Sequence, residues 1–154
     1  MATIEERLAE LGLKLPDVAK PAGAYVPALS TGHLVFTAGQ LPTVAGVLPA
    51  TGKVGAEVTP DDAKTFAATC VLNALAATKD VIGSLDRILK VVKVVGFVAS
   101  DPTFTGQPGV INGASELLGS IFGAENGAHA RSAVGVAVLP LDSPVEIEFI
   151  FEYA

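Results

Sequence analysis

Val145-Glu146-Ile147-Glu148-Phe149-Ile150-Phe151-Glu152-Tyr153, near the end of the chain, alternates almost residue by residue. Val145, Ile147, Phe149, Phe151 and Tyr153 fall on one face of a strand and Glu146, Glu148 and Glu152 on the other, because successive side chains of an extended chain point to opposite sides. A strand patterned in this way belongs to a sheet with one face against helices and the other uncovered. The run before it, Arg131 to Leu139, is a second strand, and Pro140-Leu141-Asp142-Ser143-Pro144 joins the two. Read as a simple hairpin, this pair sets Arg131 opposite Glu152 and Ala137 opposite Glu146. Ser132, Val134, Val136 and Val138 then point one way. Arg131, Ala133, Gly135 and Ala137 share the face of the glutamates, away from the helices.

Working back along the chain, Val91 to Ser100 is a continuous β-branched run with Lys93 as its one charge, as expected of a strand covered on both faces. Two long helices flank it. Thr59-Pro60-Asp61-Asp62 sets a cap, a first-position proline and acids in the first turn, and Gly83 marks the end of that helix. Val110, Ile111, Ala114, Leu117, Leu118, Ile121 and Phe122 keep one stripe apolar in the second helix, up to Gly123. Tyr25 to Leu29 and Leu34 to Ala38 are short β-prone runs separated by a turn that holds Gly32 and His33. Thr3-Ile4-Glu5-Glu6 has capping-box spacing and opens a short amphipathic helix, read with residues 1–15 as an appendage. The order is ββαβαββ, an α+β mixed sheet with two long helices on one face, built as one domain over residues 1–154.

The 154 residues carry 10 Lys+Arg against 16 Asp+Glu, a net charge of −6 with no basic cluster, which argues against a nucleic-acid surface. Only 17% of residues are charged while 50% are hydrophobic, with a mean hydropathy of +0.52. That is more apolar surface than a monomer of this size readily hides. No stretch approaches the roughly 18 consecutive apolar residues of a spanning helix, so self-association rather than a membrane is expected to absorb the excess. The N-terminal MATIEERLAELGL holds charges inside its apolar pattern and no cleavage site, so no signal peptide is read and the cytosol is the expected compartment. A single cysteine, Cys70, with His33 and His129 makes neither a disulfide nor a zinc set, so no metal is expected. There is no Gly-x-Gly-x-x-Gly or phosphate-loop run, and no cofactor is expected. Gly113-Ala114-Ser115-Glu116-Leu117 lacks the last glycine of a nucleophile elbow and lies inside a predicted helix, so no serine hydrolase is read from it.

Three glutamates and an arginine over Ala and Gly leave room as well as charge, a combination that fits a ligand or a neighbouring subunit. In the hairpin register Arg131 and Glu146 lie about 20 Å apart along the sheet, too far to act together within one chain. A solvent-facing sheet of ordinary carboxylates with a paired arginine fits the same pattern. Cys70, on an apolar helix face, reads as a core residue, His129 as a solvated loop histidine, and Asn112 as a residue able to bond local backbone.

Ala24-Tyr25-Val26, Thr37-Ala38-Gly39-Gln40-Leu41-Pro42, His129-Ala130-Arg131-Ser132-Ala133-Val134, Leu139-Pro140 and Val145-Glu146-Ile147-Glu148 occur in the order and spacing of the Rid family, also called YjgF or L-PSP, which the chain resembles from about Pro21 to Tyr153. The resemblance implies a chorismate-mutase-like fold and a homotrimer with clefts between subunits that bind small carboxylates. It also implies hydrolysis of reactive enamines and imines such as 2-aminoacrylate to 2-keto acids and ammonia. By position, Arg131 matches the arginine that clamps the substrate carboxylate, Glu146 the acid that orients the attacking water, Tyr25 a cleft tyrosine and Asn112 an asparagine on the second long helix. Ala38, Gly39 and Ala133 match positions beside the substrate. Ala38 replaces a serine and Ala133 a cysteine of the archetype, which opens a second reading, a non-catalytic trimer that binds small carboxylates in a sensing or partner-regulating role. The endoribonuclease activity attached to the L-PSP name is a third reading, opposed by the acidic balance.

Overall fold

A computed structural model describes all 154 residues. Five strands, β1 (Ala28–Thr31), β2 (Leu34–Thr37), β3 (Ile88–Ala99), β4 (Ala130–Val136) and β5 (Val145–Tyr153), form one sheet in the order β1-β2-β5-β3-β4. Helices α1 (Ile4–Glu10), α2 (Pro60–Ile82) and α3 (Gln107–Asn126) complete the α+β chain, and the predicted ββαβαββ order follows α1. The Thr59 hydroxyl accepts from the Asp62 N–H at 3.1 Å, and Gly83 at φ 87° stops α2. Mean hydropathy and length would let α2 cross a bilayer, but Cys70, Val71, Ala74 and Leu75 are fully buried against the rest of the core. Gly123, at φ 86°, interrupts α3 where the sequence placed its end.

The predicted hairpin between the last two strands does not form. The β3–α3–β4 crossover returns β4 parallel to β3, as a helical connection between neighbouring strands requires. The segment after β4 then passes over the end of β3, where Ala99 donates to the Pro144 carbonyl at 2.9 Å, and β5 enters between β2 and β3. That central position matches the buried Val145, Ile147, Phe149 and Phe151, with the Phe149 and Phe151 rings stacked 5.9 Å apart.

This topology inverts the face assigned to β4. Val94 pairs with Arg131 on one side and with Phe149 on the other. Residues in register across a sheet share a face, and Val94 and Phe149 are buried under the helices. Arg131 therefore points toward α3, as do Ala133, in register with Gly96 and Ile147, and Gly135, whose missing side chain makes room for the Gln107 amide. The small residues of β4 accommodate α3 rather than a ligand above the open face. Val134, in register with Phe97 and Glu146, lies on that open face and is 44% exposed.

Two shorter expectations also change. β1 begins at Ala28, so Tyr25 precedes the strand. Helix α1 has both capping-box bonds but ends at Glu10, and it is no loose appendage. Its Leu8 is 1% exposed in the common core, and the Ile4 N–H donates to Asp86 Oδ1 at 2.8 Å.

Candidate functional site

Glu146, Gly39, Ala38 and Tyr25 gather at the end of the sheet where β5 begins. Past β2 the chain stays beside β5, because the Gln40 N–H donates to the Ile147 carbonyl at 2.8 Å and the Ile147 N–H to the Gln40 carbonyl at 3.0 Å. This presses residue 39 against the Glu146 side chain, and glycine lets the carboxyl sit there undisplaced. A Cβ on Gly39 would stand 2.8 Å from Glu146 Cδ. Half-buried there, the Glu146 carboxyl is pushed above its ordinary pKa, first by burial and then by the neighbouring Glu148 carboxylate. The Tyr25 hydroxyl accepts from the Ala22 N–H at 3.1 Å and leaves the ring half exposed. Tyr25 and Gly39 border a cavity of about 770 Å³ walled by residues 14–22 and by Asn73 of α2. Asn73, 3% exposed, fixes that wall by donating to the Leu41 and Thr43 carbonyls at 2.9 and 3.0 Å.

Arg131, Ser115 and His129 form a second group, between β4 and α3. Arg131 donates through Nη1 to Ser115 Oγ at 3.0 Å and through Nη2 to the Pro108 carbonyl at 3.1 Å. Neither partner is charged. The chain's ion pairs are Lys64–Glu116 and Lys79–Glu5, so the guanidinium has no carboxylate, and three of its five N–H donors stay free. Asn112, four residues after Pro108 and three before Ser115, lies on the same stripe of α3. Ala133 packs against the hydrophobic core, so a thiol is absent there without a polar group taking its place.

The predicted site residues thus fall into two clusters on opposite faces of one sheet. Arg131 and Phe149 stand on either side of Val94, and Glu146 is three residues from Phe149. That is about 10 Å across two strand spacings and about 10 Å along the strands, or roughly 14 Å between α-carbons. The expected sharing of one face is overturned, and the expectation that the two do not meet within one chain stands on this corrected geometry. His129 was misread as well. Its Nε2 lies 2.8 Å from Ser115 Oγ and its Nδ1 2.7 Å from the Gly127 carbonyl oxygen. The i, i+2 spacing of His129 and Arg131 was the available signal, since it sets both on one side of an extended chain.

Comparison with known proteins decides the lineage. The model of the family described as "YjgF/chorismate_mutase-like, putative endoribonuclease" matches residues 5–153. The chain belongs to this family. Protein TCP17 of Trypanosoma cruzi is 42% identical over 151 residues, covering 97% of this chain and 93% of its own. The crystal structure of protein Atu1372 of Agrobacterium tumefaciens, of unknown function, is 45% identical, with a TM-score of 0.90 over 98% of this chain and 92% of that one. E. coli TdcF, solved with bound serine, is 26% identical, with a TM-score of 0.59 over 89% of this chain and 94% of that one. The chorismate-mutase-like fold expected of the family is the fold observed.

Proposed function

We propose that the protein hydrolyses reactive enamines and imines of the 2-aminoacrylate class to 2-keto acids and ammonia, in a cleft that a second copy of the chain completes. The observation that carries this reading is the Arg131 guanidinium, held by two neutral partners and left without a carboxylate of its own. A planar fork with free donors suits a substrate carboxylate. The chemistry on the other side of the cleft falls to Glu146. With its proton affinity raised by burial, its carboxyl gives a proton to the imine nitrogen, and the carboxylate then orients water toward the imine carbon. The carboxylate takes a proton from the water as it adds to the C=N carbon and returns it to the amino nitrogen. The C–N bond breaks as the hydroxyl proton goes back to the carboxylate, so ammonia leaves, the keto acid remains and Glu146 is protonated again. The separation of Arg131 from Glu146 favours a cleft shared between copies, and the family resemblance supports a homotrimer as the assembly. Serine bound to TdcF, a small amino acid with a carboxylate, supports the ligand class.

The test is keto-acid release from enzymatically generated imines, with Arg131→Ala beside the wild type. We expect Arg131→Ala to lose at least about 30-fold in kcat/KM, the size of a lost hydrogen-bonded charge contact; equal rates for the two proteins would remove this reading. Ala38 and Ala133 favour the second reading, a carboxylate-binding trimer without turnover, which the same pair would reveal as Arg131-dependent binding with no acceleration. An endoribonuclease is disfavoured, since Glu146, Glu148 and Glu152 on the open face repel phosphate.

A further inference from the structure

We infer that Ser115 and His129 are positioning residues that aim the Arg131 guanidinium, through a hydrogen-bonded relay anchored on the Gly127 carbonyl; this rests on the reading of Arg131 as a carboxylate clamp. For a neutral His129 ring, the direction of every bond in the relay follows from its fixed end. A carbonyl oxygen only accepts, so the 2.7 Å contact between Gly127 and His129 Nδ1 puts the ring proton on Nδ1. With the ring neutral, Nε2 presents a lone pair, and Ser115 Oγ at 2.8 Å must donate to it. The same oxygen then has only lone pairs to offer Arg131 Nη1 at 3.0 Å. The hydroxyl is locked as an acceptor toward the guanidinium, and the Pro108 carbonyl holds the second terminal nitrogen.

Two details set this apart from incidental contact. A serine inside a helix commonly returns its hydroxyl to the carbonyl four residues back, as Ser120 does to Glu116 at 3.1 Å. Ser115 instead reaches across to β4. The anchor is also closely confined, since a Cβ on Gly127 would stand 2.7 Å from the Gly123 oxygen and 2.8 Å from the Leu118 oxygen. A guanidinium on a flexible stem loses side-chain freedom when it grips a carboxylate, and holding two of its donors beforehand leaves less to lose on binding.

Steady-state keto-acid release should separate binding from chemistry. Ser115→Ala and His129→Ala are each expected to raise KM about fivefold, the weight of one neutral hydrogen bond, with kcat changed less than twofold. Ser115→Thr, which keeps the hydroxyl, and His129→Gln, which keeps an acceptor in reach of it, are expected to restore KM to within about twofold. On the wild-type protein, nitrogen-15 NMR should find the Nδ1–H tautomer at His129, assigned against a His33→Gln variant; this readout needs neither turnover nor a folded Ser115 variant. An Nε2–H tautomer overturns the inference. So does an unchanged KM in Ser115→Ala and His129→Ala while Arg131→Ala fails, an outcome that leaves the proposed function standing. If Arg131→Ala itself keeps full activity, the proposed function falls and the inference falls with it.

Discussion

Gly39→Ala is the perturbation that best separates the proposed acid from the fold that holds it. The added methyl would lie 2.8 Å from Glu146 Cδ, 3.0 Å from Cγ and 3.1 Å from Oε1. Carbon atoms rest comfortably at about 3.5 Å, so the carboxyl must withdraw by roughly 0.7 Å. Gly39 has no positive φ, and its backbone accepts alanine without strain. What gives way is the far end of a half-buried side chain, at an off-rotamer cost of about 1 kcal/mol. For a chain of this size that lowers Tm by roughly 2–4 °C. The rate should suffer far more, because misplacing a catalytic group by about 1 Å costs up to about 100-fold; we expect kcat to fall between about 10- and 100-fold. The assays are keto-acid release and thermal unfolding on the same preparation. A variant with kcat within twofold of wild type would refute the placement of Glu146 in the chemistry. A Tm loss beyond about 10 °C would show that Gly39 serves packing instead.

Three further substitutions probe the fold and the acid. Gly113→Ala drives a Cβ into the Lys64 backbone carbonyl where α2 and α3 touch, so we expect a loss of about 3 kcal/mol and, by calorimetry, a Tm drop of roughly 6–12 °C. Gly119→Ala, also in α3 but facing open space, should gain about 0.5–1 kcal/mol from helix propensity; a lower Tm would refute that assignment. Glu146→Gln tests the raised proton affinity through stability against pH. A carboxyl whose pKa is higher folded than unfolded contributes stability at low pH, and this is lost as pH rises from the unfolded value near about 4.3 through the folded one. The stability of Glu146→Gln relative to wild type should therefore climb across that window and level off above it, read as Tm from pH 4 to 8; parallel curves would count against a perturbed Glu146.

The elements were legible wherever local chemistry decides them. Thr59, Pro60 and Gly83 set the limits of α2, Gly123 breaks α3, and the alternation of Val145 to Tyr153 gives β5 residue for residue. Pairing was not legible, because period-two alternation states that two residues of a strand share a face without stating which face. For Arg131-Ser132-Ala133-Val134 the apolar set was assigned to the core, yet the arginine and the alanine face the helices. The β3–α3–β4 crossover decides this, and the crossover rule was available. The proline-flanked linker between the last two strands read more strongly as a hairpin. His129 was missed for a different reason: its i, i+2 spacing to Arg131 sets the two on one side of the strand, but its partners, Gly127 and Ser115, lie one in a turn and the other on α3, and no spacing in the chain identifies them.

The open sheet face bears on one half of the proposed site and leaves the other untouched. Leu29, Phe36 and Val134 are 50%, 37% and 44% exposed, and Phe97 stands in register between Val134 and Glu146. Phe97 and Val134 therefore bring apolar surface directly beside the half-buried carboxyl. Any second copy that covers Val134 and Phe97 also strips water from Glu146, and desolvation is already the largest cause of its raised proton affinity. Arg131 behaves oppositely. It sits at the edge strand, on the helix side, where its neutral partners Ser115 and Pro108 do not depend on what covers the open face. Assembly would thus tune the acid while leaving the clamp as the single chain builds it. This division follows from one register, Arg131 beside Val94 beside Phe149, which turns the guanidinium inward and the glutamates outward.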